Sequence, residues 1–305
     1  MENKEYGRNL GCIPSPWDSR NLQYLIRVPS VQELQQIPEE FDELSNYCYC
    51  HGTQGNIGSC CGWAGSGLEH TLVLLNDSQD VLFSAGSIYA HSKEQVDPPI
   101  PQEAEGSSLL GVLKFIQKVG APPETFSPTD ILQPFHLLDK PGWEIVAGHY
   151  RINSYHRVPT DEDSMKAAIY GLTFKQPYAM PDGSSGKSPL LVAIPVYDCF
   201  YNTEKGISAL PIAGEKLWGY HAVLIRGWKK IEGKLHWVVV NSWGTDTGDK
   251  GIYYIPFSYP IAEAWLVTDD APHLDIPNQS DIEENCILRI IRAIIKILNK
   301  LTGGA

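Results

Sequence analysis

The apolar positions of the chain change their period about halfway along its length. From Cys60 onward, Cys61, Ala64, Leu68, Leu72 and Leu75 recur every three or four residues, with Ser59 at the N-cap position and a stop near Asn76 and Asp77. That spacing predicts a helix. Gly62, Gly65 and Gly67 weaken it intrinsically, which makes sense only if neighbours pack against it very closely. Further helices are predicted over Phe83–Lys93 and over Leu109–Val119, the latter closed by Gly120 and Ala-Pro-Pro. A short one runs from Thr160-x-x-Asp163 to Tyr170. After a flexible insertion, FKQPYAMPDGSSGKS, the pattern turns to strands: LLVAIPVY, HAVLIRGW, HWVVVNSW and GIYYIPF, divided by Gly, Asn and Asp turns. Helices first and strands later predict an α+β arrangement of two lobes meeting at a cleft.

The ends of the chain have a different character. Residues 1–36 read as an irregular N-terminal extension, with a helical hint over Ser30–Gln36, that either clamps the fold or covers the cleft. Residues 37–140 form the helical lobe and 141–270 the β-rich lobe. Residues 271–305 make an acidic, Pro-containing linker and an amphipathic C-terminal helix. In that last segment Ile287, Ile291, Ile294, Leu298 and Leu301 step by four and three, as in a coiled-coil seam. Arg289, Arg292, Lys296 and Lys300 are the only charges after Glu284. Residues 281–305 are therefore expected to pack on protein, through self-association or docking to a protein assembly. Membrane contact is disfavoured because Trp and Phe are absent there.

Composition narrows the function. A net charge of −12 argues against a nucleic-acid surface, which needs clustered Lys and Arg. No apolar run reaches the roughly 18 residues that span a bilayer, and MENKEYGRNLGCIPSP lacks the pattern of a signal peptide, so a cytoplasmic location is expected. Seven cysteines in no regular ladder argue against a disulfide framework. Neither Cys48-Tyr49-Cys50 nor Cys60-Cys61 has the gap that lets two thiolates share zinc, so no metal and no cofactor is expected.

The candidate chemistry is nucleophilic. A thiol at a helix N-terminus ionises more readily, because unpaired N–H groups and the dipole favour negative charge. Cys60 has that position, while Cys61 is rotated toward the apolar face. A thiolate needs a base held by a third group. His221 enters an apolar strand, and twenty residues later Asn241 ends the next; a hairpin would set them side by side.

These segments together resemble the papain-like cysteine peptidases, and more closely their short bacterial and archaeal members. Gln54-Gly55-x-x-Gly58-Ser59-Cys60 resembles the nucleophile motif of that family. Gly219-x-His221-Ala222-Val223 resembles its histidine motif. Asn241-Ser242-Trp243-Gly244, with Gly248 and Gly251-Ile252-Tyr253 behind it, resembles its asparagine motif. Ile37-Pro38-Glu39 and Asp42 look like the start of its mature domain, so the likeness spans about residues 37 to 268.

The resemblance implies a two-lobe fold with an antiparallel, β-barrel-like right lobe, and hydrolysis of peptide or protein substrates. Cys60 would be the nucleophile, His221 the base and acid, Asn241 its orienter and Gln54 an oxyanion donor. Gly106, Ser107, Tyr220 and Trp243 are the candidate substrate-binding residues; Trp243 also shields the Asn–His bond from water. Ser107 stands where the family has a second glycine, and Cys61 where it has tryptophan. Ile57 replaces a half-cystine. Cys61 is expected to be buried rather than disulfide-paired, a vicinal bridge being strained. The alternatives are a transpeptidase or ligase on the same acyl-enzyme, and a catalytically silent scaffold assembled through its tail.

Overall fold

The computed structural model describes residues 10–15, 30–130, 138–172 and 186–269. The expected C-terminal helix, its linker and most of the expected insertion lie outside the described residues. The first helix, α1 (Val31–Leu34), is a single turn whose capping box joins Ser30 to Glu33. Helix α2 (Cys60–Asp77) is the central element, followed by α3 (Ala85–Ser92) and α4 (Leu109–Lys118). The close packing expected around the α2 glycines is present. A Cβ on Gly62 would stand 2.2 Å from Ala85 O of α3, and one on Gly65 2.5 Å from Val112 of α4. Ser59 occupies the N-cap position of α2 but makes no capping hydrogen bond, whereas Ser108 caps α4 by accepting from Gly111 N at 3.1 Å.

Two short elements, α5 (Trp143–Ala147) and β1 (Ser154–Val158), lead into α6 (Glu162–Ile169). The cap of α6 is Asp161, which accepts from Ser164 N, one residue on from the expected Thr160. Then follow β2 (Leu190–Tyr197), α7 (Asp198–Tyr201), β3 (Leu217–Ile231), β4 (Lys234–Val240), β5 (Ile252–Pro256) and β6 (Glu263–Thr268). All strand pairs are antiparallel, in the order β1-β6-β2-β3-β4-β5.

The sheet is open, which corrects the expected barrel-like closure. Closure would require β1 and β5 to pair, and both lie at sheet edges. The outer edge of β5 is taken instead by residues 206–208: Tyr254 N donates to Gly206 O at 2.8 Å and Ser208 N to Tyr254 O at 2.9 Å. A loop thus satisfies the edge that a barrel would satisfy with a strand.

A bulge in β3 between Ile225 and Gly227 ties the 37–48 segment to the sheet. Phe41 and Trp228 exchange both backbone hydrogen bonds there, at 2.8 and 2.7 Å. A Cβ on Gly227 would stand 2.1 Å from Phe41 O, so the approach needs glycine. Beside it Arg226, 7% exposed, donates Nε and Nη2 to the Asp42 carboxylate at 2.7 and 3.0 Å and Nη1 to Cys48 O at 2.7 Å. Asp42→Ala would leave a buried guanidinium without its counter-charge. It should cost about 3 kcal/mol of stability, in the range for breaking one partner of a buried pair. Urea unfolding followed by tryptophan fluorescence measures it.

Candidate active site

Helix α2 and strand β3 pack directly on one another, and their contact creates the site. Cys60 opens α2, where backbone N–H groups lack intrahelical partners. Its sulfur accepts from Ala222 N of β3 at 3.4 Å. His221, the preceding residue, is fully buried. Leu224 pairs with Val240, so Asn241 lies beyond the β4 end on the same side as His221. Asn241 Oδ1 stands 2.8 Å from His221 Nε2 and also accepts from Ser242 N at 2.7 Å. An amide oxygen there requires the imidazole to carry its proton on Nε2 or on both nitrogens. The other ring nitrogen, Nδ1, is buried and makes no hydrogen bond of ordinary geometry among the described residues.

Electrostatics favour an ionised sulfur. Burial alone pushes the Cys60 thiol up. The neighbouring Cys61 thiol, the nearby imidazole and charge of His221 and the Ala222 N–H outweigh it and hold Cys60 well below the ordinary thiol value. Cys61 moves the opposite way: burial raises it, and its contacts with Cys12 and Cys60 raise it further. The two adjacent thiols thus differ sharply in nucleophilic readiness.

Gln54 is held by backbone and side chain together. Its N–H donates to Ser242 O at 2.9 Å, its Oε1 accepts from Ser242 Oγ at 2.7 Å, and its Nε2 donates to Ile57 O at 2.7 Å. Ser242 therefore anchors Gln54 and, through its N–H, Asn241. It was readable in the sequence only as part of the motif around Asn241. The Trp243 ring stacks on His221 with centroids 4.8 Å apart, and Tyr201 stacks on Trp243 at 5.4 Å and 2°. Trp243 is 3% exposed and lies behind the imidazole.

Gly106, Ser107 and Tyr220 face one another across the cleft, and the chain's own N-terminal segment lies between them. Ser107 N donates to Gly11 O at 2.9 Å and Ile13 N to Ser107 O at 2.8 Å, while Cys12 N donates to Tyr220 O at 3.2 Å. Ser15 Oγ accepts from Leu110 N at 3.1 Å and, with Ser15 N, donates to Glu263. Of the two roles open to the extension, residues 10–15 take the cover. Beneath this strap Cys60 is 0% exposed. Gly106 itself is positioned by Tyr89, whose hydroxyl accepts from Gly106 N at 2.8 Å. Buried Lys93 donates to Gln102 O and Ala104 O, shaping the loop before it. The helical pattern assigned Tyr89 and Lys93 to α3 and its end without indicating this role. Among the described residues no group of three or more His, Cys, Asp or Glu side chains could hold a metal ion.

The architecture and this constellation define a papain-like α+β cysteine-protease fold. A profile of the papain family cysteine protease matches residues 37–260. The chain belongs to the papain family of cysteine proteases. Among curated proteins, a gut-specific cysteine proteinase of Caenorhabditis elegans is 32% identical over 107 residues, 35% of this chain and 27% of that one. Cathepsin S of Rattus norvegicus is 24% identical over 242 residues, covering 78% of this chain and 64% of that one. The chain thus spans about a quarter and under two thirds of those two proteins. Among solved structures, xylellain, a cysteine protease from Xylella fastidiosa, has a TM-score of 0.68 at 22% identity, covering 86% of this chain and 97% of that one. A recombinant stem bromelain precursor has a TM-score of 0.64 at 16% identity, covering 89% of this chain and 80% of that one.

The strap's fit generates a test. A Cβ on Gly11 would stand 1.7 Å from Gly58 O, a backbone atom that cannot move aside cheaply. Gly11→Ala should therefore displace the strap and raise the rate of Cys60 alkylation by iodoacetamide about tenfold, equivalent to about 1.4 kcal/mol of lost closure. Peptide mapping of the labelled protein reads the site.

Proposed function

We propose that the protein is a cysteine endopeptidase that hydrolyses peptide bonds through a thioester on Cys60. The carrying observation is the buried junction in which the Cys60 sulfur meets the Ala222 N–H beside an imidazole steered by Asn241. The Cys60 thiolate adds to the peptide carbonyl, and the electron pair moves onto the carbonyl oxygen. The Cys60 N–H at the helix start, with Gln54 beside it, supplies donors for that oxyanion. As the tetrahedral species collapses, His221 gives a proton to the leaving amine, and the carbon–nitrogen bond breaks. His221 then takes a proton from water, which attacks the thioester and releases the acid, returning the sulfur as thiolate. Asn241, Ser242 and the Trp243 stack hold the ring orientation through both proton transfers.

In this reading the strap holds the enzyme latent. It occupies the backbone groups of Ser107 and Tyr220, which an extended peptide in the cleft would also use.

Hydrolysis of a fluorogenic peptide library and labelling by an epoxysuccinyl probe test the reading. Cys60→Ser should abolish labelling. His221→Ala should lower kcat/KM by about 10³-fold, as expected for loss of a general acid and base. Gln54→Ala should lower it by about 10²–10³-fold, mainly in kcat, if it binds the oxyanion. Because Cys60 sits well below the ordinary thiol value of 9.0, its labelling should persist into mildly acidic solution. Cys199, pushed up to about 11 by burial, should be inert there. In His221→Ala the Cys60 profile should move toward higher pH. Equal labelling of Cys60 and Cys199, with no hydrolysis, would favour the silent scaffold. Products joined to an added amine would favour a transpeptidase.

A further inference from the structure

Three buried cysteines meet where the strap crosses the start of α2. Cys12 bridges Ser107 on one wall and Tyr220 on the other. In an extended segment successive side chains point to opposite faces. Ile13 is 39% exposed while Cys12 is 6% exposed, so the Cys12 thiol points down to the floor of the cleft. That floor is Cys60 and Cys61, both 0% exposed. Cys61 Sγ donates to Ser107 O at 3.2 Å and lies 3.9 Å from Gly11 O, the residue before Cys12. Cys12 follows Gly11 and pairs with Ser107, the two residues whose carbonyl oxygens the Cys61 thiol faces, so the Cys12 and Cys61 side chains are neighbours.

We propose that Cys12 and Cys61 are a disulfide site that a hydroperoxide closes by way of Cys60, turning the strap from a reversible cover into a covalent latch. This rests on the reading of Cys60 as the ionised nucleophile. The peroxide reaches Cys60 while the strap is open. The thiolate attacks one peroxide oxygen, the O–O bond breaks, and Cys60 becomes a sulfenic acid as hydroxide leaves. Cys61 cannot resolve it in place: adjacent Cα atoms are about 3.8 Å apart, short of the roughly 4.4 Å at which ordinary disulfides begin. Closing the strap delivers Cys12, whose sulfur attacks that of Cys60. A Cys12–Cys60 disulfide forms, and the hydroxyl leaves as water with the Cys12 proton.

Cys61, the neighbour of Cys12 beneath the strap, then attacks the Cys12 sulfur and displaces Cys60. Cys60 is the better leaving group because its thiolate is the stabilised one. The Cys61 proton neutralises the hydroxide released in the first step. The balance is two thiols and one peroxide giving one disulfide and two waters. A dithiol reductant reverses it.

The reduced full-length protein, freed of reductant and treated with a few equivalents of hydrogen peroxide, provides the test. It is quenched with N-ethylmaleimide under denaturing conditions and digested without reduction. The expected result is a Cys12–Cys61 linked peptide with Cys60 alkylated. Peptide hydrolysis should fall by about tenfold or more, since a tethered strap competes with substrate at high effective concentration, and dithiothreitol should restore it. Cys12→Ser should keep its activity before oxidation. After peroxide it should yield no link, and dithiothreitol should fail to restore it, because unresolved Cys60 proceeds to sulfinic acid. Alkylated Cys12 in peroxide-treated wild type overturns the proposal, as does a Cys12→Ser variant that recovers like wild type. The cysteine map decides this even where no peptide is cleaved, so failure of the latch and failure of the peptidase reading are distinct results.

Discussion

A negative sulfur inside a protein junction is costly, and the rest of the structure is arranged around compensating that cost. Cys60 has no exposure to water, so its ionised form needs partners fixed in place. They come from two lobes: the helix start on one side, and the Ala222 N–H and His221 of β3 on the other. Such partners compensate only if they cannot drift apart. Gly62 and Gly65 let α3 and α4 lie directly on α2, which removes its freedom to tilt. On the sheet side, the Phe41–Trp228 exchange and the Arg226–Asp42 pair bind the segment leading toward Gln54 to β3 itself. Cys60, His221 and Gln54 are thereby referred to one shared strand.

The imidazole is constrained by a chain of neighbours rather than by one bond. Asn241 Oδ1 is shared between His221 Nε2 and Ser242 N, so the amide cannot rotate without losing both. Ser242 Oγ carries the constraint onward to Gln54. Trp243 fixes the remaining ring rotation by stacking, and Tyr201 and Phe200 fix Trp243 in turn. His221 and Gln54 thus share a single support. Loss of Ser242 would disturb His221, through Asn241, and Gln54 together, a coupling that breaks additivity between them.

Legibility in the sequence followed the range of the interactions. Helix α2 was readable because its glycines and apolar steps are local, and β2 because eight uninterrupted apolar or β-forming residues leave little else for it to be. Strands β1 and β6 were not expected. SYHRV has no clean alternation, and β1 is a strand through its pairing with β6, which β2 holds on its other side. The open sheet was illegible for a similar reason, since residues 206–208 serve as an edge partner without any strand pattern of their own. Cys60, His221, Asn241 and Gln54 stood out through motif spacing. Cys12 did not, because its place depends on contacts with residues 95 and 208 positions away in the sequence.

The strap must be strong enough to cover the cleft and weak enough to leave it. Its three backbone hydrogen bonds to Ser107 and Tyr220, and those of Ser15 with Leu110 N and Glu263, contribute about 0.5–1.5 kcal/mol each, since opening returns those groups to water. Burial of the small Cys12 side chain adds a modest apolar contribution, and the ordering of residues 10–15 opposes both. The net closure is then a few kcal/mol at most, so substrate-sized partners that pair with the same backbone groups can compete with it. A cover of that strength delays access without abolishing it. Under the proposed function, durable latency requires something that does not depend on the hydrogen bonds Ser107 and Tyr220 would offer to a substrate, and the proposed sulfur–sulfur bond beneath the strap would meet that condition while leaving those groups unchanged.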